Sequence, residues 1–223
     1  MFGGFNKSFQ LGKRGITSPS VITVPDTTGT TEVSWTDDTY FDFYSSQTST
    51  TTDILASVQN RCFQLCYAHQ QVTIPNDGIS RLAVGTYSTQ VSSPKRWWMA
   101  IGVANDIQRV PQSYTSISSD SDARTSSQGA FVEIPCRATG GVTIPANRWF
   151  IIGHSIIPFR AVRSQAAART AVIGGTYYVT AFPILYEFGS QSELRTPVQL
   201  GGYGRPVRVW SGYTHVMSIK FKL

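Results

Sequence analysis

The tetrapeptide Val-Thr-Ile-Pro occurs twice in this chain of 223 residues, at Val72–Pro75 and at Val142–Pro145, and a near copy, V-I-T-V-P, fills Val21–Pro25. Valine, isoleucine and threonine branch at Cβ and fit a pleated strand better than a helix. Proline has no N–H to give to a ladder, so it belongs at a strand end or on an edge. Each copy therefore reads as a strand that delivers the chain to a polar turn, and Asn76-Asp77-Gly78 supplies residues that accept a backbone reversal. The residues that follow the two copies, N-D-G-I-S-R and A-N-R-W-F-I, do not match. The repeat is a shared way of ending strands, and no internal duplication is needed to explain it.

The same alphabet continues from Thr31. Val33 and Trp35 alternate with polar residues, and Phe41 and Phe43 alternate around Asp42, which predicts two short strands joined at Asp37-Asp38. In "ILASVQNRCFQLCYAHQQ", Ile54, Leu55, Val58, Cys62, Leu65 and Cys66 follow a helical spacing, whereas Phe63, Leu65 and Tyr67 also fit a strand; one short helix passing into a strand is expected. Strands are predicted in "RWWMAIGVANDIQ", "AFVEIPCRA", "GGVTIPANRWFIIGHSIIPF", "GGTYYVTAFPILYEF", "RPVRVWS" and "HVMSIKFKL", with a loop ahead of "RPVRVWS". The polar stretch 112–129 is expected to be an exposed loop. Short strands at this spacing, punctuated by Gly, Pro and Ser, indicate a sandwich or a barrel.

Residues 1–30 form a different compartment. Gly3, Gly4, Gly12, Gly15, Pro19 and Pro25 interrupt every period, which predicts an extended N-terminal arm ahead of a β domain at 31–223. Phe2, Phe5, Phe9 and Leu11 cannot bury themselves in so glycine-rich a segment, so they are candidate docking residues. The arm lacks the continuous apolar stretch of a signal peptide, and the longest apolar run, around Trp97–Ala104, is too short to cross a bilayer. Synthesis in the cytosol without membrane insertion is the expectation.

Charge and cysteine usage narrow the chemistry. Only 14% of residues are charged, so hydroxyl and amide groups must cover most of the surface. Residues 1–122 carry eight Lys/Arg against ten Asp/Glu, and residues 123–223 eleven against three, which makes the C-terminal half the basic one. Its arginines are dispersed and form no block, which suits a solvated or subunit-facing surface. Cys62, Cys66 and Cys136 are an odd set without metal-ligand spacing, so buried free thiols are expected, with no metal and no cofactor.

Little in the chain speaks for an enzyme. His69, His154 and His215 are the only histidines, and no nucleophile elbow, phosphate loop, dinucleotide fingerprint or H-E-x-x-H helix is present. Asp37-Asp38 beside Trp35 and Tyr40 invites a sugar or calcium reading, but adjacent acids on one strand point to opposite faces. An ordinary turn is the simpler explanation. Gly202-Tyr203-Gly204-Arg205 is half of a phosphate loop and equally a tight turn. Trp97 and Trp98 place one ring inward and one outward on a strand, and with Tyr114 they are candidate ligand or subunit contacts.

The succession "VTIPNDGISRLAVGTYS", "RWWMAIGVANDIQ", a polar loop and "GAFVEIPCRATGGVTIPANRWFIIGHS" resembles the trimeric jelly-roll heads of the tumour-necrosis-factor/C1q type found in bacteriophage fibres and capsid decorations. The likeness runs over about residues 70–155, with Val72–Gly78, Leu82–Tyr87, Trp98–Asn105 and Val142–Ile152 in the matching places. It implies an all-β fold with a single jelly-roll-like sandwich, self-association as a homotrimer, and residence in a virion assembled in the host cytoplasm. The expected function is a fibre, spike or decoration subunit whose arm docks on other virion proteins of the capsid or tail. Two alternatives stand beside it. One is a carbohydrate- or receptor-binding tip whose partner is a host surface glycan; the other is a small-virus jelly-roll capsid protein or tail adaptor.

Overall fold

The computed structural model describes residues 29–37, 39–45, 50–54, 61–76, 78–83, 99–104, 113–116, 131–136, 140–154, 159–163, 168–188, 198–199 and 208–223. Strand accounts for 72% of them and helix for none, so the chain is an all-β sandwich. The large sheet runs in the order β1 (Thr31–Ser34), β13 (Arg169–Ile173), β14 (Thr176–Phe188), β4 (Arg61–Ala68), β11 (Arg148–His154), β7 (Met99–Val103), β8 (Ser113–Ser116) and β15 (Val198–Gln199), with β16 (Arg208–Ser211) also on β14. The facing sheet is β2 (Tyr40–Asp42), β18 (Met217–Lys220), β6 (Ile79–Ala83) and β9 (Phe131–Pro135). A three-stranded sheet joins β17 (Tyr213–His215), β12 (Phe159–Arg163) and β3 (Thr50–Ile54).

Eight of these strands follow one rule. Taken along the chain as β2, β4, β6, β7, β8, β9, β11 and β18, the first pairs with the eighth, the second with the seventh, the third with the sixth and the fourth with the fifth, every pair antiparallel. They divide between the sheets in the orders first-eighth-third-sixth and second-seventh-fourth-fifth. That is one long hairpin, with β7 and β8 at its tip, rolled up into two layers. The segment between β11 and β18 adds β13, β14 and β16, which widen the large sheet beside β4, β15, which lies on β8 at the far edge, and β12 and β17, which join the three-stranded sheet.

The two Val-Thr-Ile copies are partners. β5 (Val72–Ile74) and β10 (Val142–Ile144) form an antiparallel ribbon in which Thr73 faces Thr143. The outer edge of β5 is closed by the C-terminus, since Thr73 and Lys222 exchange both backbone hydrogen bonds at 2.7 Å. Each proline sits just past its strand, where the ladder needs no donor, and the chain then enters β6 in one sheet and β11 in the other.

Alternation along the strands builds the core between the sheets. Phe41, Phe43, Leu82, Ile134, Met217, Ile219 and Phe221 from the small-sheet side meet Cys66, Met99, Ile101, Phe150, Ile152 and Val179 from the large one, all nearly inaccessible. The large sheet has a second apolar face: Phe63, Leu65, Tyr67, Ala100, Trp149, Ile151 and Phe188 form a separate buried cluster. Strands buried on both faces read as near-continuous apolar runs. The short helix expected to pass into a strand here is corrected where the structure describes it, at Ile54 and from Arg61 onward. Ile54 closes β3 and Cys62, Leu65 and Cys66 lie in β4, where every position from Cys62 to Ala68 is buried and so mimics any period; residues 55–60 lie outside the described set. The expected loops are also corrected in part, because Ser113–Ser116 and Val198–Gln199 pair as β8 and β15 at the sheet edge.

Candidate functional site

Most residues expected to carry function fall outside the described part: Phe2, Phe5, Phe9 and Leu11 of the arm, Trp97 and Trp98, and Gly202–Arg205. Tyr114 is in β8, opposite Val198 of β15, and so belongs to a paired edge and not to a loop tip. Beside Asp37 the N–H of Thr39 donates to the carbonyl of Thr36 at 3.1 Å. The indole of Trp35 donates to the carbonyl of Thr39 at 3.0 Å, and Asp37 accepts the backbone N–H of Leu223 at 2.8 Å. Asp37 therefore pins the C-terminus. The three cysteines are buried and unbridged. Among the described residues no group of three His, Cys, Asp or Glu side chains gathers to hold a metal, and no helix is long and apolar enough to cross a membrane.

The structure does bring together a polar cluster that the sequence keeps far apart. β14 contains Pro183, which has no N–H for the ladder, and there the strand bulges: Ala181 faces Cys66, Leu185 faces Gln64, and Phe182, Pro183 and Ile184 stand against Leu65 alone. The bulge leaves carbonyls without strand partners. The side-chain amide of Gln64, fully buried, donates to the carbonyl of Phe182 and to that of Ile184 at 3.3 Å, and the N–H of Gly212 takes the carbonyl of Pro183 at 2.8 Å. The other end of the same side chain accepts the N–H of His215 at 3.0 Å. Gln64 thus ties the bulge of the large sheet to β17 of the three-stranded one.

His215 continues the network. Its Nε2 lies 3.4 Å from the carbonyl of Cys62, which can only accept, so Nε2 carries the hydrogen. Nδ1 is then an acceptor and takes the Nε2 hydrogen of His154 at 3.4 Å. The two rings meet edge to face at 4.7 Å between centroids. Burial pushes the His215 imidazole down to about 3, against a smaller upward pull from the Cys62 carbonyl. His215 is therefore neutral, and a proton added at its Nδ1 would remove the acceptor that His154 uses.

The outward faces of the two sheets differ in chemistry. Across the small sheet, Asp42, Ser218, Arg81 and Glu133 stand in one transverse row. Arg81 bonds Glu133 at 3.0 Å and covers the ring of Tyr40 at 4.1 Å, so this face is ionic and water-adapted. On the large sheet, Tyr177, His69, Tyr67, Trp149 and Phe182 form a chain of ring contacts with centroids 4.9–5.8 Å apart. His69 bonds the Thr180 hydroxyl at 2.7 Å, and burial lowers its pKa. The Tyr67 hydroxyl is buried without a hydrogen-bond partner among the described residues. Sequence reasoning missed Gln64 and the histidine pair, although one amide inside the apolar run R-C-F-Q-L-C-Y-A was a visible signal.

Comparison with protein-family models, with curated proteins and with solved structures returns no match.

Proposed function

We propose that this chain is a structural subunit of a virus particle. The observation that carries the reading is the strand order: eight strands rolled up as first-eighth-third-sixth over second-seventh-fourth-fifth support a jelly-roll reading of the sandwich, the double-sheet solution that recurs in virus shells. A fold alone does not fix a function, and two physical features support this one. The net charge is +6, and Lys7, Lys13 and Arg14 precede the first acid, Asp26, which suits a protein in contact with a polyanion. The outward face of the small sheet is an ionic row, as fits a surface that meets water.

Within this class a shell-forming coat subunit is favoured over a fibre, spike or decoration head. A trimeric head would bury surplus aromatics between copies, yet among the described residues the exposed large hydrophobics are only Phe131, Val209 and Leu223. The chain closes both faces of its large sheet by itself. The fibre or decoration reading retains the low charge, 14%, and the hydroxyl-rich composition of a packed exterior. Light scattering on the full chain and on a version lacking residues 1–30 separates the two. A coat subunit gives large uniform assemblies that depend on the arm. A stable trimer that survives the truncation supports the head, and a monomer under all conditions contradicts both.

A further inference from the structure

The chain turns a corner at Gly212, whose φ of +81° is open to glycine and strained for other residues. The turn carries it from β16 on the large sheet to β17 on the three-stranded sheet, and four side chains collect there. The Arg208 guanidinium lies 4.6 Å from the centre of the Trp210 ring. Trp210 meets Tyr213 edge to face at 5.8 Å, and Tyr213 stands directly across the ladder from Arg163, the last residue of β12. Both arginines are exposed and have no carboxylate partner among the described residues, while both rings are half-buried. The neighbouring acid, Glu187, is itself buried and accepts the indole hydrogen of Trp210 at 2.9 Å. It holds the ring in place and is not offered to a ligand.

We infer that this corner binds single-stranded nucleic acid, with Arg163 and Arg208 on backbone phosphates and a base stacked on the Trp210–Tyr213 platform. The exposed groups donate and do not accept, so the ligand must be anionic and rich in acceptors. Flat rings beside guanidinium groups add stacking that any base can use, the combination found in sequence-tolerant single-strand binding. A neutral glycan leaves the two cations unanswered, and an acidic peptide leaves the rings unused. The identity of the partner as the packaged genome rests on the virus-particle reading; the binding site itself does not.

The test is fluorescence anisotropy of a labelled oligothymidylate with the full chain, between about 50 and 200 mM salt. Arg163→Ala with Arg208→Ala should weaken binding at least about tenfold at the lowest salt and flatten the slope of log K against log salt by about 1.4, two phosphate contacts' worth. Trp210→Leu should weaken the oligothymidylate and leave an abasic oligonucleotide of equal length unaffected; Trp210→Phe, which keeps a ring, should restore binding if the leucine variant folds poorly. Wild-type affinity in the double arginine variant overturns the inference. So does equal binding of the abasic strand, or equal displacement by polyglutamate. Light scattering on the same samples separates the two readings: assembly without binding sinks the site alone, and binding without assembly sinks the coat-protein reading alone.

Discussion

Thr73 and Thr143, the second residues of two identical tetrapeptides 70 positions apart, face each other across an antiparallel ribbon with their hydroxyl oxygens 3.2 Å apart. Because Thr73 spends its backbone N–H and C=O on Lys222, the pair with Thr143 is of the non-hydrogen-bonded kind, in which opposing side chains come closest. The hydroxyl pair is exposed, whereas Ile74 and Ile144 are buried in the main core. Thr73→Val with Thr143→Val should therefore change stability by less than about 1 kcal/mol. Ile74→Ala and Ile144→Ala should each cost about 2–5 kcal/mol in urea denaturation.

Gln64 is predicted to be worth more than any surface polar residue. Gln64→Leu keeps the volume and strands the His215 N–H together with the carbonyls of Phe182 and Ile184. The expected loss is about 2–4 kcal/mol, with unfolding followed by tryptophan fluorescence. Tyr67→Phe is the contrasting case, since the hydroxyl it removes is buried without a partner among the described residues. It should be neutral or stabilising by up to about 1 kcal/mol. A loss above that would mean the hydroxyl is hydrogen-bonded after all.

The histidine relay sets a pH dependence. The folded value of His215, about 3, lies below the ordinary imidazole value, so the unfolded chain takes up the proton first as the medium acidifies. Neutral His215 stabilises the fold fully above about pH 6.5 and progressively less below it, at up to about 1.4 kcal/mol per pH unit. His69, also lowered by burial, adds in the same direction. Melting curves between pH 7 and 5 should show this decline, and His215→Gln should flatten it. An unchanged slope in that variant would assign the acid sensitivity to other groups.

Gly153 makes room for a ring. On the outward face of β11 it lies opposite Phe63, and a Cβ there would come within 2.6 Å of that ring and 2.5 Å of the Cys62 carbonyl. Backbone cannot yield as a flexible side chain does, so Gly153→Ala should destabilise by about 1–3 kcal/mol. Thermal unfolding beside Gly175→Ala separates overcrowding from strain: Gly175 has nothing within 4 Å of a built Cβ, and its cost should come from its φ of +81° alone.

What could be read from the chain follows from how each strand is buried. The Val-Thr-Ile copies, the strand from Arg148 to His154 and the terminal strand from Met217 to Lys220 carry β-branched or alternating apolar residues, and all three form. The strand at Ser113–Ser116 was illegible because hydroxyls and one tyrosine give no apolar face; only pairing with β7 and β15 makes it a strand. The strand from Arg61 to Ala68 misled in the opposite way, being buried on both faces and so fitting a helix as well as a strand. Pro183, inside a stretch expected to be one strand, marks a bulge that sequence reasoning did not anticipate. The residue that fills it, Gln64, lies more than a hundred positions earlier and reaches it only through the order of the strands.

The most direct test of the coat-protein account is electron microscopy of the purified full-length chain mixed with single-stranded DNA. The account predicts closed particles of one diameter. A field of dispersed trimers or monomers at every salt and protein concentration would contradict it.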